Sequence, residues 1–200
     1  SSHVVSGDTL AGFLSDTKKQ GKCPAFFIFG FPSAFGFPLE KIEFRFDPGK
    51  HGMIWKPTVT VAAVVEQDGK FLLVEEHTDE GAVLNQPAGH LEADETLLEG
   101  VVRETLEETA YHFQPEFLPG VYRWRNPGNR ITYLRFAFTG HVASFDGQRK
   151  LDQGIIRAVW MSEAEIRGQA HRHRSPLVLR CVQDYLAGKR YPLDILIHYD

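Results

Sequence analysis

The sequence predicts an α/β domain in which a mixed β-sheet is flanked by helices on both faces. Three observations carry that expectation. TVTVAAVV (Thr58 to Val65) is β-branched and almost continuously apolar, as a strand buried on both faces is. Strand-like segments recur after it, separated by turn signals. Two stretches carry apolar residues at helical spacing, one following Asp94 and one following Ser175.

Taken in order, EQDGK (Glu66 to Lys70) holds an Asp-Gly turn, and FLLVEE (Phe71 to Glu76) is the return strand of a hairpin. The segment to Leu84 reads as a polar, Gly-containing loop, and LNQPAGH (Leu84 to His90) leads out of it. Asp94 is placed to cap a helix starting at Glu95. Its apolar face would be Leu97, Leu98, Val101, Val102, Thr105 and Leu106. VYRWR (Val121 to Arg125) and TYLRFAFTGHV (Thr132 to Val142) form a second strand pair around the turn NPGN. IIRAVWM (Ile155 to Met161) is a further strand, and Ser162 with Glu165 makes a capping box after it. In the last helix Ser175 is the N-cap and Pro176 the first residue, with Gly188 as the stop. Its buried stripe is Leu177, Val178, Cys181, Val182, Tyr185 and Leu186.

The chain of 200 residues suffices for one domain with a real core. Composition shifts near Met53. Residues 1–52 are rich in Phe, Gly and Pro, with KIEFRF (Lys41 to Phe46) as one candidate strand and DPGKHG (Asp47 to Gly52) as a loop. They are read as an N-terminal extension of unknown role, and residues 53–200 as the domain. The net charge is −4, and the one basic cluster is HRHRSP (His171 to Pro176), so no nucleic-acid partner is expected. No apolar run approaches the roughly 20 residues of a membrane span. Cys23 and Cys181 make neither a disulfide framework nor a zinc spacing, so a reducing cytoplasm is the expected location.

The stretch GHLEADETLLEGVVRETLEETAY (Gly89 to Tyr111) holds six glutamates, Asp94 and a single Arg103. Glu104, Glu107 and Glu108 stand three and four residues apart, hence side by side on one helix face. Like charges at that spacing oppose the helix, and the dipole disfavours anions in its C-terminal half. Local helix physics therefore does not explain them. A solvated acidic face is one reading, and a hard divalent cation gripped by carboxylate oxygens is the other.

The spacing decides between them. Gly89, Glu95, Arg103, Glu104, Glu107 and Glu108 follow G-x5-E-x7-R-E-x2-E-E. Six positions at ~7% usage each match by chance on the order of 10⁻⁷ per start. The pattern resembles the signature of the Nudix hydrolases, whose fold is an α/β/α sandwich around a mixed sheet. Thr105 stands where an aliphatic residue is usual, and Ala110 where a glycine normally ends the helix. Beyond the box, WKPTVTVAAVV, NQPAGHLEADETL, RSPLV and GKRYPLDIL are similar to the NudJ-type bacterial phosphatases, from about Met53 onward.

The resemblance implies a Mg²⁺ site, with Mn²⁺ as the alternative ion. Glu104 and Glu108 would be the main ligands. Glu107 would share a metal or help activate water, and a carbonyl at Ala88 or Gly89 would complete the set. Arg103 would pair with Glu95 and orient the carboxylates. Asp152 is the candidate for a fourth acidic group, set against an ordinary loop aspartate. The partner would be a small-molecule pyrophosphate: a hydroxymethylpyrimidine or thiamine pyrophosphate, or a nucleoside di- or triphosphate. Orthophosphate would be released by a monomer or homodimer.

For the organic part, Trp124 is either a ring that stacks on a pyrimidine or a core tryptophan. Gln86 either bonds an amino-pyrimidine edge or closes a strand end. Tyr133 and Arg135 share one face of their strand, and an arginine in an apolar strand needs an anionic partner, either a substrate phosphate or a glutamate of the box. Arg174 is a further phosphate candidate. Cleavage of nucleoside-diphosphate sugars or dinucleotides, and ligand sensing without turnover, are the rival readings.

Overall fold

The computed structural model describes residues 55–79 and 81–199. The extension, its KIEFRF strand and its DPGKHG loop lie outside the described residues. The chain runs β1 (Thr58–Gln67), β2 (Lys70–Thr78), β3 (Gly81–Asn85), β4 (Ala88–His90), α1 (Leu97–Thr109), β5 (Tyr111–Arg125), β6 (Thr132–Phe145), β7 (Ile155–Ser162), α2 (Glu163–Gly168), α3 (Leu177–Leu186) and β8 (Tyr191–Pro192). Single 3₁₀ turns occupy Ala170–Arg172 and Leu193–Ile195. Among the described residues no helix is long and apolar enough to cross a membrane.

The sheet has eight strands in the order β3-β2-β1-β6-β5-β8, with β4 added on β1 and β7 on β2. Among the strand pairs of the described residues only β1 and β6 run parallel; the other strand pairings are antiparallel. The run from Val61 to Val65 in β1 is apolar because both of its faces are covered. Val61, Ala63 and Val65 pack with Val101 of α1, while Val64 packs with Val178, Cys181 and Val182 of α3. Those two clusters are the two halves of a helix–sheet–helix sandwich. Full burial of a side chain such as Val101 contributes about 1.5–3 kcal/mol.

Most elements follow from their sequence signals. Asp68 and Gly69 both adopt positive φ, 52° and 76°, as the tight turn between β1 and β2 requires. The Ser162–Glu165 capping box opens α2. Other expectations are corrected. The polar loop before Leu84 contains a strand, β3, that pairs with β2 from Thr78↔Gly81 to Val74↔Asn85. Helix α1 is capped not by Asp94 but by Thr96, whose hydroxyl accepts from Glu99 N–H in a capping box. The Thr96–Glu99 pair satisfies two backbone donors at once, which a lone Asp94 cannot do. The last helix begins at Leu177 with Pro176 at the cap, and Ser175 Oγ accepts from Leu177 N–H at 3.3 Å. Leu186 is exposed, and Asp184 takes a buried place beside the stripe.

Candidate active site

A cleft of about 900 Å³ opens beside α1, with walls from β1 to β6 and the segment around Arg174. Helix α1 turns Glu104, Glu107 and Glu108 toward it, while Thr105 is fully buried on the opposite side. The Thr105 hydroxyl donates to the Val101 carbonyl, which makes the polar side chain tolerable in the core. Behind the carboxylates, Ala110 ends the helix at φ 60°, ψ 12°, donating to the Leu106 carbonyl. That is the left-handed conformation in which glycine is usual, and alanine costs about 1 kcal/mol there.

Arg103 organises the near side. It donates to Glu95 through Nε at 2.9 Å and Nη2 at 2.7 Å, a two-pronged pair. Nη1 reaches Glu104 at 2.9 Å and Glu107 at 3.0 Å, and Nη2 also meets the His90 carbonyl. The guanidinium beside Glu95 holds that carboxyl below its usual range, although burial pulls the other way. Glu95 does not line the cleft; it anchors the arginine that does.

Glu104 and Glu108 lie deeper. Burial raises the pKa of Glu104, Arg103 opposes the rise, and the charges of Glu107 and Asp152 add to it. Glu108 is pushed up to about 8, first by burial and then by the charges of Glu76, Glu104 and Asp152. The Ala88 amide, which donates to Oε2 at 2.8 Å, and the charge of the buried Arg135 oppose the rise. Gly89 is where the backbone meets Glu104, because a Cβ there would fall 2.1 Å from Glu104 Oε1. Asp152 is tied to α1 by its own amide, which donates to the Glu107 carbonyl at 3.0 Å.

Among the described residues no three acidic or imidazole groups are drawn together at ligand distance. The Arg103 guanidinium sits between Glu104 and Glu107 instead. The donor set nevertheless fits a hard divalent cation: oxygen ligands only, more negative charge than one arginine offsets, and a buried Glu108 that a cation would let ionise.

The wall opposite the helix comes from strands. Trp124 and Tyr133, direct partners across β5 and β6, stack at 5.8 Å and 20° in the cleft wall. Arg135 is buried and meets no carboxylate within ion-pair distance among the described residues. Its Nη1 donates to Gln86 Oε1 at 3.3 Å. Gln86 spends its amide on the protein, since Nε2 donates to the Val178 carbonyl at 2.7 Å, and it stands behind the cleft wall. Arg174 lines the cleft and pairs with Glu76 at 3.0 Å. Glu76, Asn85 and Thr60 also line it and were not singled out by the sequence, because nothing local marks them.

The NUDIX domain family model matches residues 55–181. Phosphatase NudJ of Escherichia coli is 43% identical over 143 residues, which are 72% of this chain and 92% of that protein. A NUDIX hydrolase from Nitrosomonas europaea is 58% identical, with a TM-score of 0.71 over 72% of this chain and 98% of its own. A MutT NUDIX hydrolase from Burkholderia pseudomallei, 18% identical with a TM-score of 0.55 over 65% of this chain and 98% of its own, shares the fold.

Proposed function

The chain belongs to the Nudix hydrolase family, and from that premise we propose that it is a Mg²⁺-dependent phosphatase of pyrophosphorylated small molecules. It is a hydrolase of phosphoanhydride bonds, in a family that uses divalent metal ions. The substrates proposed are hydroxymethylpyrimidine pyrophosphate, thiamine pyrophosphate and nucleoside di- and triphosphates, with orthophosphate as product. The similarity to a phosphatase over nearly all of that protein's length supports this choice within the family. A cytoplasmic location follows from the same reading.

The observation that carries the chemistry is the crowding of Glu104, Glu108 and Asp152 with one amide hydrogen bond and one ion-paired arginine to offset them. Glu104, Glu107, Glu108 and the Gly89 carbonyl would hold the ion, with Asp152 beside them. A divalent cation bound there supplies Lewis-acid activation of water and neutralises charge on the phosphate oxygens. Arg103, braced by Glu95, sets the rotamers of Glu104 and Glu107. Glu107, the most accessible of the three helix carboxylates, would either share the ion or help activate the attacking water. Trp124 with Tyr133 offers a stacking surface for the organic ring. Arg174 offers positive charge to the phosphates, and Gln86 positions Arg135 against the substrate.

The test is a product assay. The full chain is incubated with Mg²⁺ and thiamine-type pyrophosphates, nucleoside triphosphates or ADP-ribose. Orthophosphate from the first two groups is the expected result. Turnover of ADP-ribose alone, without orthophosphate from the others, would overturn it.

A further inference from the structure

Four buried side-chain atoms among the described residues have no hydrogen-bond partner: Thr60 Oγ1, Glu76 Oε1, Asn85 Oδ1 and Arg135 Nε. All four residues line the one cleft. An unmet buried polar atom is costly, so native interiors carry few of them. Four gathered in one wall mark a surface completed by a ligand. Thr60, Asn85 and Arg135 are each more than nine-tenths buried, so their rotamers are set by the fold.

The geometry places them as a group. Thr60 and Arg135 are direct partners across β1 and β6. Glu76 and Asn85 lie on one face of the β2–β3 pair, opposite Val83 and Val74 respectively. Arg174 holds the other oxygen of Glu76 at 3.0 Å, and Gln86 holds the other end of Arg135. Both charged groups are therefore anchored, with Glu76 Oε1 and Arg135 Nε left buried and unpaired.

The chemistry of the leftover atoms is uneven. Glu76 and Asn85 present acceptors, Arg135 presents a donor, and Thr60 can act as either. A phosphate, which is all acceptor, would satisfy Arg135 but would be repelled by the Glu76 carboxylate. The complement is a group with a donor beside an acceptor, such as an exocyclic amine next to a ring nitrogen. The Trp124–Tyr133 stack lies in the same wall, and Tyr133 shares a strand face with Arg135, so a flat ring fits there.

We propose that Glu76 is a specificity-determining residue that selects amino-substituted over oxo-substituted heteroaromatic rings. The ring amine donates to Glu76 Oε1, and the adjacent ring nitrogen accepts from Arg135 Nε. An oxo ring reverses both signs: its carbonyl oxygen faces a carboxylate, and its N–H faces a guanidinium. This deepens the proposed function and rests on the reading that the cleft takes a ring-bearing diphosphate.

The experiment compares 4-amino-5-hydroxymethylpyrimidine diphosphate with its 4-oxo counterpart on the full chain with Mg²⁺. Wild type is expected to favour the amino compound in kcat/KM by at least ~10-fold, since a site that hydrogen-bonds a group discriminates strongly against its absence. In Glu76→Gln the amide can turn an N–H to the oxo group, so the ratio falls at least ~10-fold or inverts. The same ratio is read without catalysis from equilibrium binding of the two monophosphates to wild type and variant. Equal preference in wild type, or a ratio unmoved by the substitution in both measurements, overturns the proposal. Loss of hydrolysis on every diphosphate with the binding ratio intact would instead count against the phosphatase reading alone.

Discussion

Two carboxylates sit on the two helices that sandwich the sheet, and both are buried, Glu108 of α1 at 9% exposure and Asp184 of α3 at 6%. They differ in what surrounds them. Asp184 accepts from Lys189 Nζ at 2.8 Å, Arg180 Nε at 2.9 Å and Tyr122 Oη at 3.0 Å. Burial pushes its pKa up, but those three donors outweigh burial and the net shift is downward. Glu108 has one amide hydrogen bond, like charges around it and no ion-paired cation among the described residues, and its net shift is upward to about 8. One carboxylate belongs to a completed network that joins α3 to β5. The other is left short of positive charge by its own fold. A buried acid therefore marks function when its partners are missing, and burial alone marks nothing.

The sharpest way to break that contrast is to neutralise each acid without changing its shape. Glu108→Gln is expected to lower kcat at least ~100-fold on any substrate turned over, as loss of one electrostatic stabiliser does elsewhere. Asp184→Asn is expected to leave kcat within ~3-fold while destabilising the protein by about 1–3 kcal/mol, because it unpairs buried donors. Steady-state kinetics and denaturant melts read the two effects separately. An equal loss of kcat in both variants would erase the distinction.

Gly89→Ala comes next. The added methyl would overlap Glu104 Oε1, so the carboxylate must move. A displacement of that size is expected to cost on the order of 10- to 100-fold in kcat, with KM less affected. A variant with wild-type kcat would mean that the close approach of Gly89 and Glu104 is irrelevant to turnover.

Stability against pH sharpens the comparison further. Glu108 binds its proton more tightly folded than unfolded, so without metal its contribution falls as pH rises from the ordinary carboxylate range through about 8. Asp184 has the opposite sign: its contribution is present above the ordinary aspartate range and is lost as acid protonates it. Mg²⁺ should therefore raise Tm more at pH 8 than at pH 6, by a few degrees at most for a domain of this size. Scanning calorimetry with and without the ion checks this; equal shifts at both pH values would contradict it.

The smallest effect is expected at Ala110→Gly. Relief of the left-handed conformation gives about 1 kcal/mol. Loss of a buried methyl takes back about 0.8 kcal/mol. A change in unfolding free energy beyond about 0.5 kcal/mol either way would show that one of these terms is misjudged.

The same contrast explains what the sequence could reveal. Glu104, Glu107 and Glu108 were legible because one helix brings them together, and three- and four-residue spacing encodes that directly. The hairpin of β1 and β2 was legible from Asp68 and Gly69. Thr60, Glu76 and Asn85 were not, since three different strands carry them into the cleft and only sheet register sets their facing. β3 and β4 were missed because strands of five and three residues leave too short a pattern. For Gln86 the sequence leaves a ring contact and a structural strand-end role open, and the hydrogen bonds of its amide to Arg135 and Val178, partners 49 and 92 residues away, fit the second. Asp94 looked like a cap because capping residues crowd that stretch, and the reciprocal Thr96–Glu99 pair prevailed.

The most direct measurement is a calorimetric titration of the full chain with Mg²⁺ near pH 7, run in two buffers of different ionisation enthalpy. Binding in the millimolar range or tighter, with release of a proton as Glu108 ionises, is the expected result, and turnover should rise over the same concentrations. Absence of binding, or binding that neither releases a proton nor switches on turnover, would contradict the claim that these carboxylates are gathered to hold a cation.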